Sequence, residues 1–112
     1  AENVVIDADN KVLEIGKILT NKTEVHGEFI GLMKLTKRGS QIFKRNFHRS
    51  KQLFWDKPFQ KAKTFQKAYL TDMLQDLVYI GIDVHCLIIE RGWHEIDTHE
   101  DYKRVLKEFT FA

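Results

Sequence analysis

TFQKAYLTDMLQDLVYIGIDVHCLII, residues 64–89, is the stretch on which the fold of this 112-residue chain turns. Phe65, Ala68, Leu70, Met73, Leu74, Leu77 and Val78 fall near helical spacing, and Gly81 stands where a C-cap glycine belongs, so the stretch opens as a helix from Thr64 to Ile80. Val84 to Ile89 then runs apolar and β-branched, which predicts a buried strand, and Trp93 to Ile96 predicts another after the Arg91-Gly92 turn. Helix, turn and strand in alternation place the chain in the α/β class.

Working outward, Thr98-His99-Glu100-Asp101 is a capping box with Asp in place of Glu. It opens a last helix whose Tyr102, Val105, Leu106 and Phe109 share a face. On the N-terminal side, Val4-Val5-Ile6 and Val12-Leu13-Glu14-Ile15 flank an Asp/Asn-rich turn and predict a hairpin. Phe29 to Leu35 is apolar on both faces and predicts a central, doubly covered strand. Thr36 then caps a basic amphipathic helix with Ile42, Phe43 and Phe47 on its apolar stripe. The stretch from about Ser50 to Lys63, with the single Pro58, has no sustained period and reads as an aromatic-rich loop. The expected architecture is a mixed sheet of about five strands with three helices, in one domain over residues 1–112.

Composition narrows the classes. An apolar share of 43% with 12% aromatics suits a globular core. The lone Cys86 excludes an internal disulfide and a cysteine zinc motif, and the five histidines lack metal-ligand spacing. No run reaches the roughly 18 apolar residues of a membrane helix, and no secretory signal pattern opens the chain, so the expected location is cytoplasmic. No glycine-rich phosphate loop is present. Residues 34–67 hold eleven of the eighteen Lys and Arg residues but only Asp56 of the sixteen acids. This basic, aromatic segment admits a nucleic-acid-binding module, although a net charge of +2 favours a solvated helix face together with buried aromatics.

Candidate chemistry gathers at strand ends. Glu95 and Asp97 are two apart and share a face of the strand that carries Ile96, at the carboxyl end where open α/β sheets bind ligands. Hard carboxylate oxygens there suit Mg²⁺ shared with phosphates. Equally, Asp97 can simply begin the turn before Thr98 while Glu95 pairs with a surface lysine. Lys17 follows Ile15-Gly16 at a strand exit, where a lysine can hold a phosphate as a point charge. Glu28, after His26-Gly27, can accept hydrogen bonds from a hydroxyl or a cation.

Taken in order, Lys11-Val12-Leu13-Glu14-Ile15-Gly16-Lys17, Gly27-Glu28-Phe29-Ile30-Gly31-Leu32, Ala68-Tyr69-Leu70-Thr71-Asp72-Met73-Leu74-Gln75 and Trp93-His94-Glu95-Ile96-Asp97-Thr98 resemble the second half of a sugar-phosphate-type nucleotidyltransferase. The resemblance is closest to the small cytidylyltransferases that act on phosphocholine or phosphonates, including domains joined to phosphoenolpyruvate mutase. It implies the C-terminal half of a nucleotide-diphospho-sugar transferase-like fold, with Mg²⁺ as cofactor and a nucleoside triphosphate and a phosphorylated small molecule as substrates. By the same resemblance Asp97 is the second metal-binding aspartate, Lys17 lies near the acceptor phosphate, Glu28 is on the acceptor side, and Trp93 and Glu95 frame the metal aspartate. Thr71 and Asp72 match a segment that positions a helix. The family's nucleotide-binding half has no counterpart in these residues. That implies a chain inactive alone and a sheet edge open to self-association.

Overall fold

Asp7 sets the first turn. Its carboxylate accepts from the backbone N–H of Asp9 at 2.8 Å and of Lys11 at 2.9 Å, while Asn10 takes the left-handed conformation at φ 63°. The computed structural model describes residues 2–20, 25–90 and 98–110. The turn joins β1 (Glu2–Ile6) to β2 (Val12–Gly16), and β3 (Gly27–Phe29) pairs on the other side of β1. The three strands form an antiparallel sheet in the order β2-β1-β3. The elements that follow are α1 (Lys37–Phe54), a 3₁₀ turn at Phe65–Lys67, α2 (Leu70–Tyr79) and α3 (His99–Thr110).

The fold is mixed α/β, but three expectations about the sheet change. Among the described residues the sheet has three strands rather than about five. The stretch from Phe29 to Leu35 is not a central strand: β3 ends at Phe29 on the sheet's edge, Gly31 turns the chain at φ +88°, and Leu32 is 77% exposed. Val84 to Ile89 is not a strand either. It touches the hairpin through Val12 N–H to the Val84 carbonyl at 2.7 Å and Cys86 N–H to the Asn10 carbonyl at 2.7 Å, then runs past the turn, leaving Leu87 89% exposed. Apolar character marked both segments as fit for burial, yet no neighbouring strand among the described residues extends far enough to cover them. The expected strand at Trp93 to Ile96 lies outside the described residues.

The helices follow their caps. Thr36 Oγ1 accepts from Gly39 N–H at 2.9 Å and starts α1. The helix then continues through Phe54, so residues 50–54, expected in a loop, are its last turn. Its inward stripe is partly polar, with Asn46 and Ser50 buried, which hides the helical period from an apolar count. The helix expected from Thr64 starts instead at Leu70, because the chain first makes the 3₁₀ turn and then an extended Ala68-Tyr69. Gly81, at φ +91°, ends it as expected. In α3 the box is present: Asp101 N–H donates to Thr98 Oγ1 at 3.1 Å, and Thr98 N–H to the Asp101 carboxylate at 3.2 Å.

Two apolar clusters hold the sheet, α1, the 3₁₀ turn and α2 together. Val4, Val12 and Ile15 of the sheet pack with Leu74 and Leu77 of α2, and Phe29, Ile42 and Phe43 close in around them. Phe59, Phe65 and Met73 form the second cluster with Phe43 and Phe54 of α1. Replacing Thr36 by Ala removes the side-chain acceptor that caps α1 and should cost about 1 kcal/mol in urea unfolding, with Thr36→Ser close to wild type. Equal stability of Thr36→Ala and wild type would show that the cap is replaceable by water.

Candidate functional site

Gly16 ends β2 and delivers Lys17 to the rim of the sheet. The Lys17 ammonium rests 4.4 Å from the centroid of the Tyr69 ring, at the entrance to α2, and pairs with no carboxylate among the described residues. Tyr69 is fixed by Asp72, whose carboxylate accepts from Tyr69 N–H at 2.9 Å and from Lys61 N–H at 3.3 Å. Thr71 beside it donates to the Glu2 carboxylate at 3.1 Å. Thr71 and Asp72 therefore position the helix, as expected of them. Gln75, one turn on, accepts from Ile15 N–H at 2.8 Å and ties α2 to the strand that presents Lys17.

A second cation stands close by. Lys61 donates to Glu14 at 2.9 Å, and a Cβ added to Gly16 would meet the Lys61 side chain at 3.6 Å. Glu14 also accepts from the Thr20 hydroxyl at 2.7 Å and from Thr20 N–H at 3.0 Å. Burial alone would raise the Glu14 pKa, but the Thr20 hydroxyl, the Lys61 ammonium and the Thr20 N–H together outweigh it and hold the carboxyl below the usual glutamate value.

A group whose folded pKa is lowered stabilises the fold above its unfolded pKa and loses that contribution as pH falls through the folded one. Glu14→Gln should therefore be less stable than wild type by a constant margin above roughly pH 5, where a free glutamate is already ionised. The two curves should converge in acid. Parallel stability–pH curves for the two proteins would show that Glu14 plays no part in the acid limb.

Glu28 occupies β3, where it pairs with Asn3 of β1, and Asn3 pairs in turn with Gly16 of β2. One row thus crosses the sheet from Gly16 to Glu28, over roughly 9–10 Å at two strand spacings. Side chains alternate along a strand: Val4 and Phe29 pack toward the α2 cluster, so Asn3 and Glu28 face the other way. The Lys17 ammonium lies on the α2 side. The structure brings Lys17 and Glu28 to the same end of the sheet but to opposite faces. Trp93, Glu95 and Asp97 lie outside the described residues.

Sequence reading found Lys17 from its strand exit but not Lys61 or Glu14. Lys61 stands far along the chain from Lys17 inside a general excess of lysine, and no spacing marks it. Glu14 stands in the sequence only as one residue of the second hairpin strand. Among the described residues, no three His, Cys, Asp or Glu side chains gather as a metal would require. Chemically, the β2 exit can hold an anion: the Lys17 ammonium meets no carboxylate among the described residues, while the charge of Lys61 is partly offset by Glu14. Comparison with protein-family models, with curated proteins and with solved structures finds no match for the chain.

Proposed function

We propose that the chain is the acceptor- and metal-side part of a Mg²⁺-dependent nucleotidyltransferase, which transfers a nucleotidyl group, cytidylyl in the closest resemblance, from a nucleoside triphosphate to a phosphorylated small molecule. In that reaction an acceptor phosphate oxygen bonds to the α-phosphorus, the bond to the β-phosphate oxygen breaks, and pyrophosphate leaves. The observation that carries this reading is the meeting of distant motifs. The first three of the four ordered segments become β2, β3 and the start of α2, and the Ile15–Gln75 and Lys17–Tyr69 contacts join the first to the third.

Lys17 orients the acceptor phosphate by its ammonium, and the Tyr69 ring keeps that ammonium at the rim. Nearby acids are engaged elsewhere: Glu14 by Lys61 and Thr20, Glu2 by Thr71, and Asp72 by backbone N–H groups. By the resemblance the donor for a hard cation is Asp97, framed by Trp93 and Glu95, while Glu28, on the opposite face of the sheet from Lys17, is left without a part at the acceptor phosphate. Bound there, Mg²⁺ would offset charge gathering on the phosphates.

The test uses the chain with phosphocholine as the acceptor probe. Amide shifts in ¹H–¹⁵N spectra should map to Lys17 and Tyr69, and Lys17→Ala should weaken binding about tenfold, the loss of one charged hydrogen bond. With Mg²⁺ and CTP added, pyrophosphate release should stay at background. Vigorous release would contradict the half-domain reading, and an unshifted Lys17 at saturating phosphocholine would remove the acceptor assignment. The exposed edge of β3 supports self-association of the isolated chain, and a monodisperse monomer by light scattering across micromolar concentrations would count against it.

A further inference from the structure

The second apolar cluster is open on one side. Between α1, the 3₁₀ turn and the start of α2 lies a groove of about 390 Å³, lined by Phe43, Phe47, Trp55, Phe65, Tyr69 and Met73. Its walls are aromatic and unusually bare: Phe47 is 37% exposed, Trp55 45% and Tyr69 59%. Leaving such surface in water is unfavourable by the apolar area it exposes, and contiguous patches of this kind mark binding surfaces.

Charge identifies what fits it. The eighteen residues of α1 include Lys37, Arg38, Lys44, Arg45, Arg49 and Lys51 and not one acid. Of the eleven cations between Lys34 and Lys67, only Lys61 forms an ion pair among the described residues. The cations also frame the groove. The Lys51 ammonium lies 5.7 Å from the centroid of the Trp55 ring at one rim, and that of Lys17 lies 4.4 Å from the Tyr69 centroid at another. An apolar floor with a positive charge at each of two aromatic rims matches a ligand with apolar side chains in its middle and carboxylates on its flanks.

We infer that this groove binds an acidic amphipathic segment of a partner protein, with its leucine-like or aromatic side chains against Phe47, Trp55 and Phe65 and its carboxylates toward Lys51 and Lys17. This is the helix-in-groove mode of recognition. A single nucleic-acid strand fits less well, because the groove is a recess floored by Phe43 and Met73 rather than a flat stacking platform, and the net charge of the chain is only +2. The inference does not rest on the proposed transferase chemistry, but it shares the Lys17 ammonium with it, so phosphocholine should compete with the peptide at that rim while leaving the Trp55 and Phe47 contacts in place.

Three probes test it: a synthetic amphipathic helix of Glu and Leu, a scrambled peptide of the same composition without an apolar face, and a twelve-residue oligo(dT). The amphipathic peptide should shift the Trp55 indole and the Phe47 and Tyr69 amides in ¹H–¹⁵N spectra. It should bind at least fivefold more weakly to Lys51→Glu and to Phe47→Ser, with circular dichroism showing that both variants stay folded. The scrambled peptide should leave these signals in place. Equal binding of both peptides, tighter binding of oligo(dT) with shifts along Lys44, Arg45 and Arg49, occupation of the groove by a second copy of the chain, or no response to any probe would each overturn the proposal.

Discussion

Phe59→Ala should lower the unfolding free energy by about 3–5 kcal/mol, the range for removing a large aromatic ring from a core that cannot close over the gap. Phe59 is 2% exposed and the largest fully buried side chain among the described residues. Its ring meets Phe65 edge-on at 5.0 Å between centroids and Phe54 at 5.7 Å, so the cavity would border the 3₁₀ turn and the last turn of α1 at once. The backbone around it is pinned: Phe59 N–H donates to the Ala62 carbonyl at 3.1 Å and Ala62 N–H to the Phe59 carbonyl at 2.9 Å, with Gln60 in the left-handed region at φ 51°. A segment held that way relaxes little, which keeps the loss near the full transfer and cavity cost. Urea unfolding with an unchanged slope measures it. Phe59→Leu, which keeps most of the volume, should lose under about half as much. A loss below about 1 kcal/mol for Phe59→Ala would mean that the second cluster contributes little to global stability.

Residues such as Phe59 show where sequence patterns stop being informative. The caps were legible because they are local chemistry: Thr36 before α1, Thr98 with Asp101 before α3, Gly81 after α2 and Asp7 at the hairpin each act within a few residues of themselves. The segment around Phe59 carries no period because its role is tertiary: it plugs a space between two helices. Helix α1 outruns its apolar pattern for a related reason, since its inward positions Asn46 and Ser50 are polar and drop out of an apolar count. Val84 to Ile89 failed in the opposite sense. Its composition suits a strand, but a strand needs a partner, and the hairpin reaches only as far as Cys86. At the candidate site, Lys17 was legible from one strand exit, whereas the Lys61–Glu14 pair depends on two distant segments meeting at Gly16, which no local spacing encodes.

The same tertiary logic makes Asp76→Ala the second large effect, at about 2–3 kcal/mol of stability. Asp76 is 6% exposed on α2, and Asn46 is 4% exposed on α1. One carboxylate oxygen of Asp76 accepts from Asn46 Nδ2 at 2.7 Å, and the other accepts from Gln60 Nε2 at 2.8 Å, so one side chain links α1, α2 and the loop between them. The Asn46 carbonyl oxygen accepts in turn from the Arg49 guanidinium at 3.3 Å, which extends the chain of bonds to the surface. Truncating Asp76 strands the buried Asn46 amide without an acceptor, at about 1–3 kcal/mol, while Gln60 can turn to water. Asp76→Asn offers one oxygen where two donors converge and must turn its own N–H toward one of them, so it should recover only part of the loss. The double variant Asn46→Ala, Asp76→Ala removes donor and acceptor together. Because an unmet buried donor is the dominant cost, it should be less destabilised than the sum of the single variants by about 1 kcal/mol or more, which a double-mutant cycle reads directly. Strict additivity would show that Asn46 finds another partner once Asp76 is gone, and that the two helices are held by their apolar contacts alone.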